Sequence, residues 1–136
     1  MRTSADTTAG ARVTAAEAIL QRLVAFDTTS ARSNLDLIAY VRDYLDAEGV
    51  ESTLVPAPDG QPKACLYATI GPRDRAGVGL SGHTDCVPVT DQAWETDPFT
   101  LTERDGRLYG RGSADMKGFV ACMLASVPAY TSRKLS

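Results

Sequence analysis

Val78-Gly79-Leu80-Ser81-Gly82-His83-Thr84-Asp85, residues 78–85, is the stretch on which the fold turns. Its first four residues are small and apolar and follow the turn-prone run from Gly71 to Gly77, the pattern of a strand buried on both faces of a sheet. Toward the N-terminus, Val50 to Val55 and Cys65 to Ile70 are runs of strand formers separated by Pro56 to Pro62, and they are expected to be neighbouring strands. Two helical patterns precede them. Thr14 and Glu17 have capping-box spacing ahead of Ile19, Leu20, Leu23 and Val24, predicting a first helix that ends near Phe26. Ser33 and Asp36 repeat that signal ahead of Leu35, Ile38, Val41 and Leu45, and Gly49 supplies the stop of a second helix. Toward the C-terminus, Asp105-Gly106 lies between Leu101 to Arg104 and Arg107 to Tyr109 and predicts a tight hairpin. Met116 to Val127 is apolar nearly all round, predicting a helix packed inside a larger body and ended by Pro128. Together these patterns predict an α/β fold, a mixed sheet with packed helices.

A chain of 136 residues, 43% hydrophobic and 23% charged, suits one globular domain. Residues 1–12 are small, polar and without apolar period, and are expected to form a disordered leader before a folded unit spanning 13–136. The formal net charge of -3 argues against a basic surface for nucleic acid or an anionic membrane. No run approaches the roughly 18 to 20 apolar residues of a membrane span, and the first dozen residues lack a signal-peptide core, so a cytoplasmic location is expected. Cys65, Cys86 and Cys122 are odd in number and form no CxxC pair, and are expected to be buried free thiols.

His83 is the chain's single histidine and sits at the carboxyl end of the expected buried strand, where ligands of open α/β sheets collect. Taken alone, a histidine is more often structural than functional. Asp85 changes that reading: two residues on in an extended segment it points to the same side, can accept a hydrogen bond from one ring nitrogen, and leaves the other free for metal. The competing reading of Asp85 is a turn-forming aspartate before Val87-Pro88. Asp115 lies in the bend Gly110-Arg111-Gly112-Ser113-Ala114-Asp115-Met116-Lys117-Gly118, directly before the apolar helix. It reads either as a helix cap or as a carboxylate whose two oxygens could bridge two cations. The order of this bend does not match a phosphate-binding GxxxxGK[ST] loop.

Gly82-His83-Thr84-Asp85, Trp94, Asp97-Pro98-Phe99, Asp105-Gly106, Leu108-Tyr109-Gly110 and Ala114-Asp115-Met116-Lys117-Gly118 together resemble the metallopeptidase and deacylase family of acetylornithine deacetylase, which includes succinyl-diaminopimelate desuccinylase and aminoacylase. The stretches Leu23 to Thr28, Ser33-Asn34-Leu35 and Pro98 to Glu103 look more like the acetylornithine enzymes. The resemblance implies the N-terminal part of a zinc-peptidase-like catalytic domain. It further implies that His83 binds one metal ion, that Asp115 bridges two, that Asp85 is the catalytic-site residue orienting His83, and that the Asp115-Met116 peptide is cis. The metal would be zinc or cobalt, and the substrate a small N-acyl amino acid, with acetate released from N-acetyl-L-ornithine in arginine biosynthesis. Full-length relatives would be homodimers. The family's glutamate base, a later carboxylate ligand, a final histidine ligand and the lid domain would all lie past the last helix, so this chain is expected to be an incomplete catalytic domain, inactive by itself. The alternatives are a non-catalytic remnant or interaction module, or a fragment of a related desuccinylase or aminoacylase.

Overall fold

The computed structural model describes residues 4–135 and consists of three helices and two small antiparallel ribbons. The chain runs through α1 (Ser4–Ala25), α2 (Leu35–Ala47), β1 (Ser52–Pro56), β2 (Ala64–Ala68), β3 (Thr102–Arg104), β4 (Arg107–Tyr109), a wide turn at Ser113–Lys117, and α3 (Gly118–Thr131).

The core forms where the apolar faces of these helices meet. Ile19, Leu20, Leu23 and Val24 of α1 are buried, as their spacing predicts, and α3 lies against that helix. From α3 come Val120, Ala121, Leu124, Ala125 and Val127; α2 adds Leu37, Ile38, Val41 and Leu45. Each fully buried aliphatic side chain in such a cluster contributes about 1.5 to 3 kcal/mol relative to exposure. The apolar character of α3 outruns its cover, for Phe119 and Tyr130 stay exposed.

Helix α1 begins at Ser4, so the leader expected over 1–12 overlaps it from residue 4 onward, while 1–3 lie outside the described residues. Thr14 is interior to the helix and its hydroxyl donates to the Gly10 carbonyl at 3.1 Å, so it does not cap. The alanines at 5, 9, 11, 15 and 16 have the highest helix propensity of any residue and carry the helix past the expected start. Helix α2 ends as expected before Gly49, which adopts φ 71°. The hairpin at 105–106 also forms: Asp105 and Gly106 have φ 53° and 68°, the paired positive values a two-residue turn of this hand requires. β1 and β2 pair in register from Ser52 opposite Ala68 to Pro56 opposite Ala64.

Further expectations fail. Residues 78–81 pair with no strand among the described residues, and Val78 is 91% exposed; the segment therefore lacks the neighbours that would make it a doubly buried strand. The sheet content is two separate ribbons plus one parallel bridge, Thr29 to Cys86. Pro128, expected to end the last helix, lies inside it. Proline withholds the N–H that would bond the carbonyl four residues earlier, that of Leu124. The Tyr44 hydroxyl of α2 donates to that carbonyl at 3.0 Å, so the helix continues to Thr131 without an orphaned acceptor. Of the three thiols, only Cys86 is buried; Cys65 and Cys122 are exposed. No helix among the described residues is long and apolar enough to cross a membrane.

Tyr44→Phe is expected to cost about 1 to 3 kcal/mol of unfolding free energy, the penalty of an unsatisfied buried acceptor. In a Pro128→Ala background the restored amide serves Leu124, and the same substitution should cost distinctly less; urea denaturation of the four proteins of this cycle checks it.

Candidate metal centre

The site is assembled on the short segment 26–30 that follows α1. Thr28 is buried, and its hydroxyl donates to the Thr84 carbonyl at 2.6 Å. The Cys86 amide donates to the Thr28 carbonyl at 3.1 Å and the Ser30 amide to the Cys86 carbonyl at 3.0 Å, the parallel bridge that fixes residues 84–86. From the start of α2, the Asn34 amide group donates to the Ala64 carbonyl at 2.9 Å and to the Thr84 hydroxyl at 3.0 Å, while its Oδ1 accepts from the Ala64 amide at 3.0 Å. Asn34 thus behaves as a one-residue strand, joining the start of β2 to the histidine segment. Sequence spacing does not reveal it, because its partners lie 30 and 50 residues away.

Asp115 arrives from the other side. The Lys117 amide donates to the Gly112 carbonyl at 2.8 Å, closing the wide turn, and Gly112 takes φ 79°. Asp115 and Met116 leave helical geometry (φ -128° and -135°), and the peptide between them is cis, as the resemblance implies. A side chain at Gly118 would collide with the Ser113 carbonyl, so the step from turn to helix admits only glycine. Lys117 is 1% exposed, and its Nζ donates to the Phe26 carbonyl at 2.7 Å. Desolvation holds this amine below its ordinary range, opposed by Cys86 and Asp27.

These two constructions bring His83 and Asp115 together. His83 Nε2 lies 3.0 Å from Asp115 Oδ1. On the opposite edge of the ring, Nδ1 is 3.0 Å from the backbone carbonyl of Asp85 and 3.3 Å from its carboxylate Oδ1. Asp85 therefore orients His83 with two acceptors, the nearer being its own carbonyl. Both favour a proton on Nδ1, while Asp115 favours one on Nε2; a cation taking the place of the Nε2 proton would leave the Nδ1 proton held by Asp85. The capping reading of Asp115 does not hold, since α3 begins after Lys117 without a side-chain cap bond. The His83 and Asp115 side chains are 48% and 87% exposed, so the pair faces solvent. The hydrogen bond to Asp115, reinforced by the Asp85 carbonyl, raises the His83 pKa above 6.5.

A cation fits between this pair. Two donors about 2.0 to 2.2 Å from one tetrahedral zinc stand roughly 3.3 to 3.6 Å apart, so the observed separation needs to open by only a few tenths of an ångström. Among the described residues, no group of three His, Cys, Asp or Glu side chains converges to hold a metal. The arrangement brings together one histidine and one carboxylate.

The histidine–carboxylate pair lies in the part of the chain that matches a known family of metal-dependent hydrolases. Residues 79–136, which carry both His83 and Asp115, match peptidase family M20/M25/M40. The chain is 44% identical over 123 residues to an acetylornithine deacetylase of Shigella sonnei, covering 86% of this chain and 32% of the relative. It is 48% identical over 114 residues to an acetylornithine deacetylase of Myxococcus xanthus, covering 81% and 30%. Among solved structures it is similar to human carnosine dipeptidase 1, with a TM-score of 0.73, 27% identity, and coverage of 96% of this chain and 32% of that one. The chain therefore spans about a third of the length of the relatives it matches.

Because His83 is the chain's single histidine, NMR titration reads it directly. Its pKa in the metal-free protein should lie above 6.5, and Asp115→Asn should bring it down. The sign for stability follows from the raised folded value. The His83–Asp115 contact stabilises the fold at pH below the unfolded histidine value, and that contribution is lost as pH rises through the folded one.

Proposed function

We propose that this chain provides the His83 and Asp115 ligands of a metal-dependent amide hydrolase of the acetylornithine deacetylase type, acting on N-acetyl-L-ornithine in arginine biosynthesis in the cytoplasm. The observation that carries this reading is the 3.0 Å approach of His83 Nε2 to Asp115 Oδ1 on an exposed face, in a sequence 44% and 48% identical to two acetylornithine deacetylases. Zinc or cobalt held there would polarise the acyl carbonyl and lower the pKa of a water nucleophile. The chain's own contribution is to present Nε2 unprotonated, through the acceptors of Asp85 at Nδ1, and to hold the Asp115 carboxylate opposite it. A catalytic zinc normally takes three protein ligands, and a general base adds about 10²- to 10⁴-fold in rate. In this reading, further ligands and the base come from the portion of the relatives beyond the matched third, and residues 4–135 alone do not turn over substrate.

A second reading, an interaction module without catalysis, is favoured by the exposed apolar side chains of Val78, Leu80 and Val87 and of Phe119 and Tyr130 on α3. It calls for a defined oligomer or hetero-complex in sedimentation.

The test is to assay N-acetylornithine hydrolysis by the chain with added zinc or cobalt, alone and mixed with the remaining portion of a related deacetylase. No turnover alone and metal-dependent turnover in the mixture are expected, with His83→Ala or Asp115→Ala removing both metal uptake and turnover. Metal uptake unchanged by either substitution would remove these residues from the ligand set.

A further inference from the structure

Ser30 is the residue of this region whose hydroxyl has no structural task yet. It donates to Asp85 Oδ2 at 2.8 Å and stands 3.3 Å from the Cys86 carbonyl. A hydroxyl has one hydrogen, and the shorter bond to an ionised acceptor takes it. An exposed serine would ordinarily lose much of such a bond to rotation and to water. Here the backbone is fixed on both sides: the Ser30 amide donates to the Cys86 carbonyl at 3.0 Å, and the Ser30 carbonyl accepts from Lys63 Nζ. Only χ1 remains free, and Asp85 Oδ2 lies where it points.

The consequence passes along the carboxylate. With Oδ2 held by Ser30, the other oxygen, Oδ1, is the one turned to His83 Nδ1 at 3.3 Å. From the ring's far side Nε2 faces Asp115 Oδ1. We infer that Ser30 is a positioning residue of the metal centre, acting through Asp85 to hold the His83 imidazole with Nε2 free for a divalent cation. The inference rests on the metal-centre reading and goes beyond it, because no feature of Ser30 itself contacts a ligand position. Outer partners of metal-bound histidines are worth about 10- to 100-fold in affinity. Its exposure places Ser30 at the lower end of that range.

The experiment compares Ser30→Thr with Ser30→Val, side chains of nearly one shape that differ in the hydroxyl, alongside Ser30→Ala. Cobalt(II) chloride affinity is measured by calorimetry, and the tautomer of the sole histidine by nitrogen-15 NMR of the metal-free protein at a pH where the ring is neutral. Fluorescence of the single tryptophan, Trp94, reports that the fold is kept. The expected result is cobalt binding about tenfold weaker for Val and Ala and within about threefold of the parent for Thr. Relative to the parent, the imidazole nitrogen shifts should move toward the Nε2–H tautomer only in Val and Ala, an effect that a purely structural serine would not produce. Equal cobalt affinity and unchanged nitrogen shifts in Thr and Val would overturn the role of Ser30 while leaving His83 and Asp115 as ligands. No cobalt uptake by the parent protein would overturn both.

Discussion

The bond from the buried Lys117 ammonium to the Phe26 carbonyl is the interaction on which the rest of the molecule depends. Phe26 lies just past the end of α1, where carbonyls lack helical donors and the helix dipole favours positive charge. Its oxygen also accepts from the Thr28 amide at 3.0 Å, so both lone pairs are engaged. On the other side, the Lys117 backbone amide closes the turn that carries Asp115. One residue therefore shapes that turn and fastens it to α1. Taking an ammonium out of water costs several kcal/mol, and a hydrogen bond to a charged donor returns about 1.5 to 3 kcal/mol. The remainder is offset by Asp27 and by the Leu23, Val24, Val120 and Leu124 cluster packed around the junction. A hydrophobic residue of equal volume would fill the space, but it would leave Phe26 half satisfied and the turn unfastened.

The same five residues, 26–30, reach both halves of the site. Phe26 meets Lys117, Thr28 meets Thr84, Thr29 and Ser30 meet Cys86. His83 and Asp115 are separated by 32 residues, and their 3.0 Å approach is set by a third segment that precedes both. Asp27 contributes indirectly: burial raises its pKa, but hydrogen bonds from the Thr29 hydroxyl and amide and the nearby Arg32 and Lys117 outweigh that and hold it ionised. A charged Asp27 in turn helps keep Lys117 charged.

What the sequence makes legible is local. The buried face of α1, the extent of α2 and the Asp105-Gly106 hairpin depend on spacing within one element, and each forms as read. His83, Asp85 and Asp115 are legible as a constellation because they fall within two short glycine-containing motifs, and the structure brings all three together. Long-range compensation is not legible. Pro128 is a helix breaker by every local rule, and only Tyr44, on a different helix, makes it harmless. Asn34 reads as an ordinary helix-start residue and acts as a strand mimic. The run at 78–81 has a strand's composition, but a strand is a relation between segments, and no described segment pairs with it.

Support and exposure are distributed unevenly around the site, and this bears on how it would take up a cation in the proposed role. The groups behind His83 and Asp115 are hydrogen-bonded to backbone carbonyls and amides, whereas the His83 and Asp115 side chains themselves are 48% and 87% exposed. A proton and a metal ion compete for one lone pair, that of His83 Nε2. The carboxylate that attracts the metal also raises the ring's proton affinity. Such a pair binds cations well only if the proton can be displaced without disturbing the scaffold. The fixed Nδ1 side makes that displacement local, because the acceptors that orient the ring stay in place whether Nε2 holds a proton or a metal. Preorganisation here therefore belongs to the half of the site that the chain itself builds, and it does not wait on whatever covers the open face.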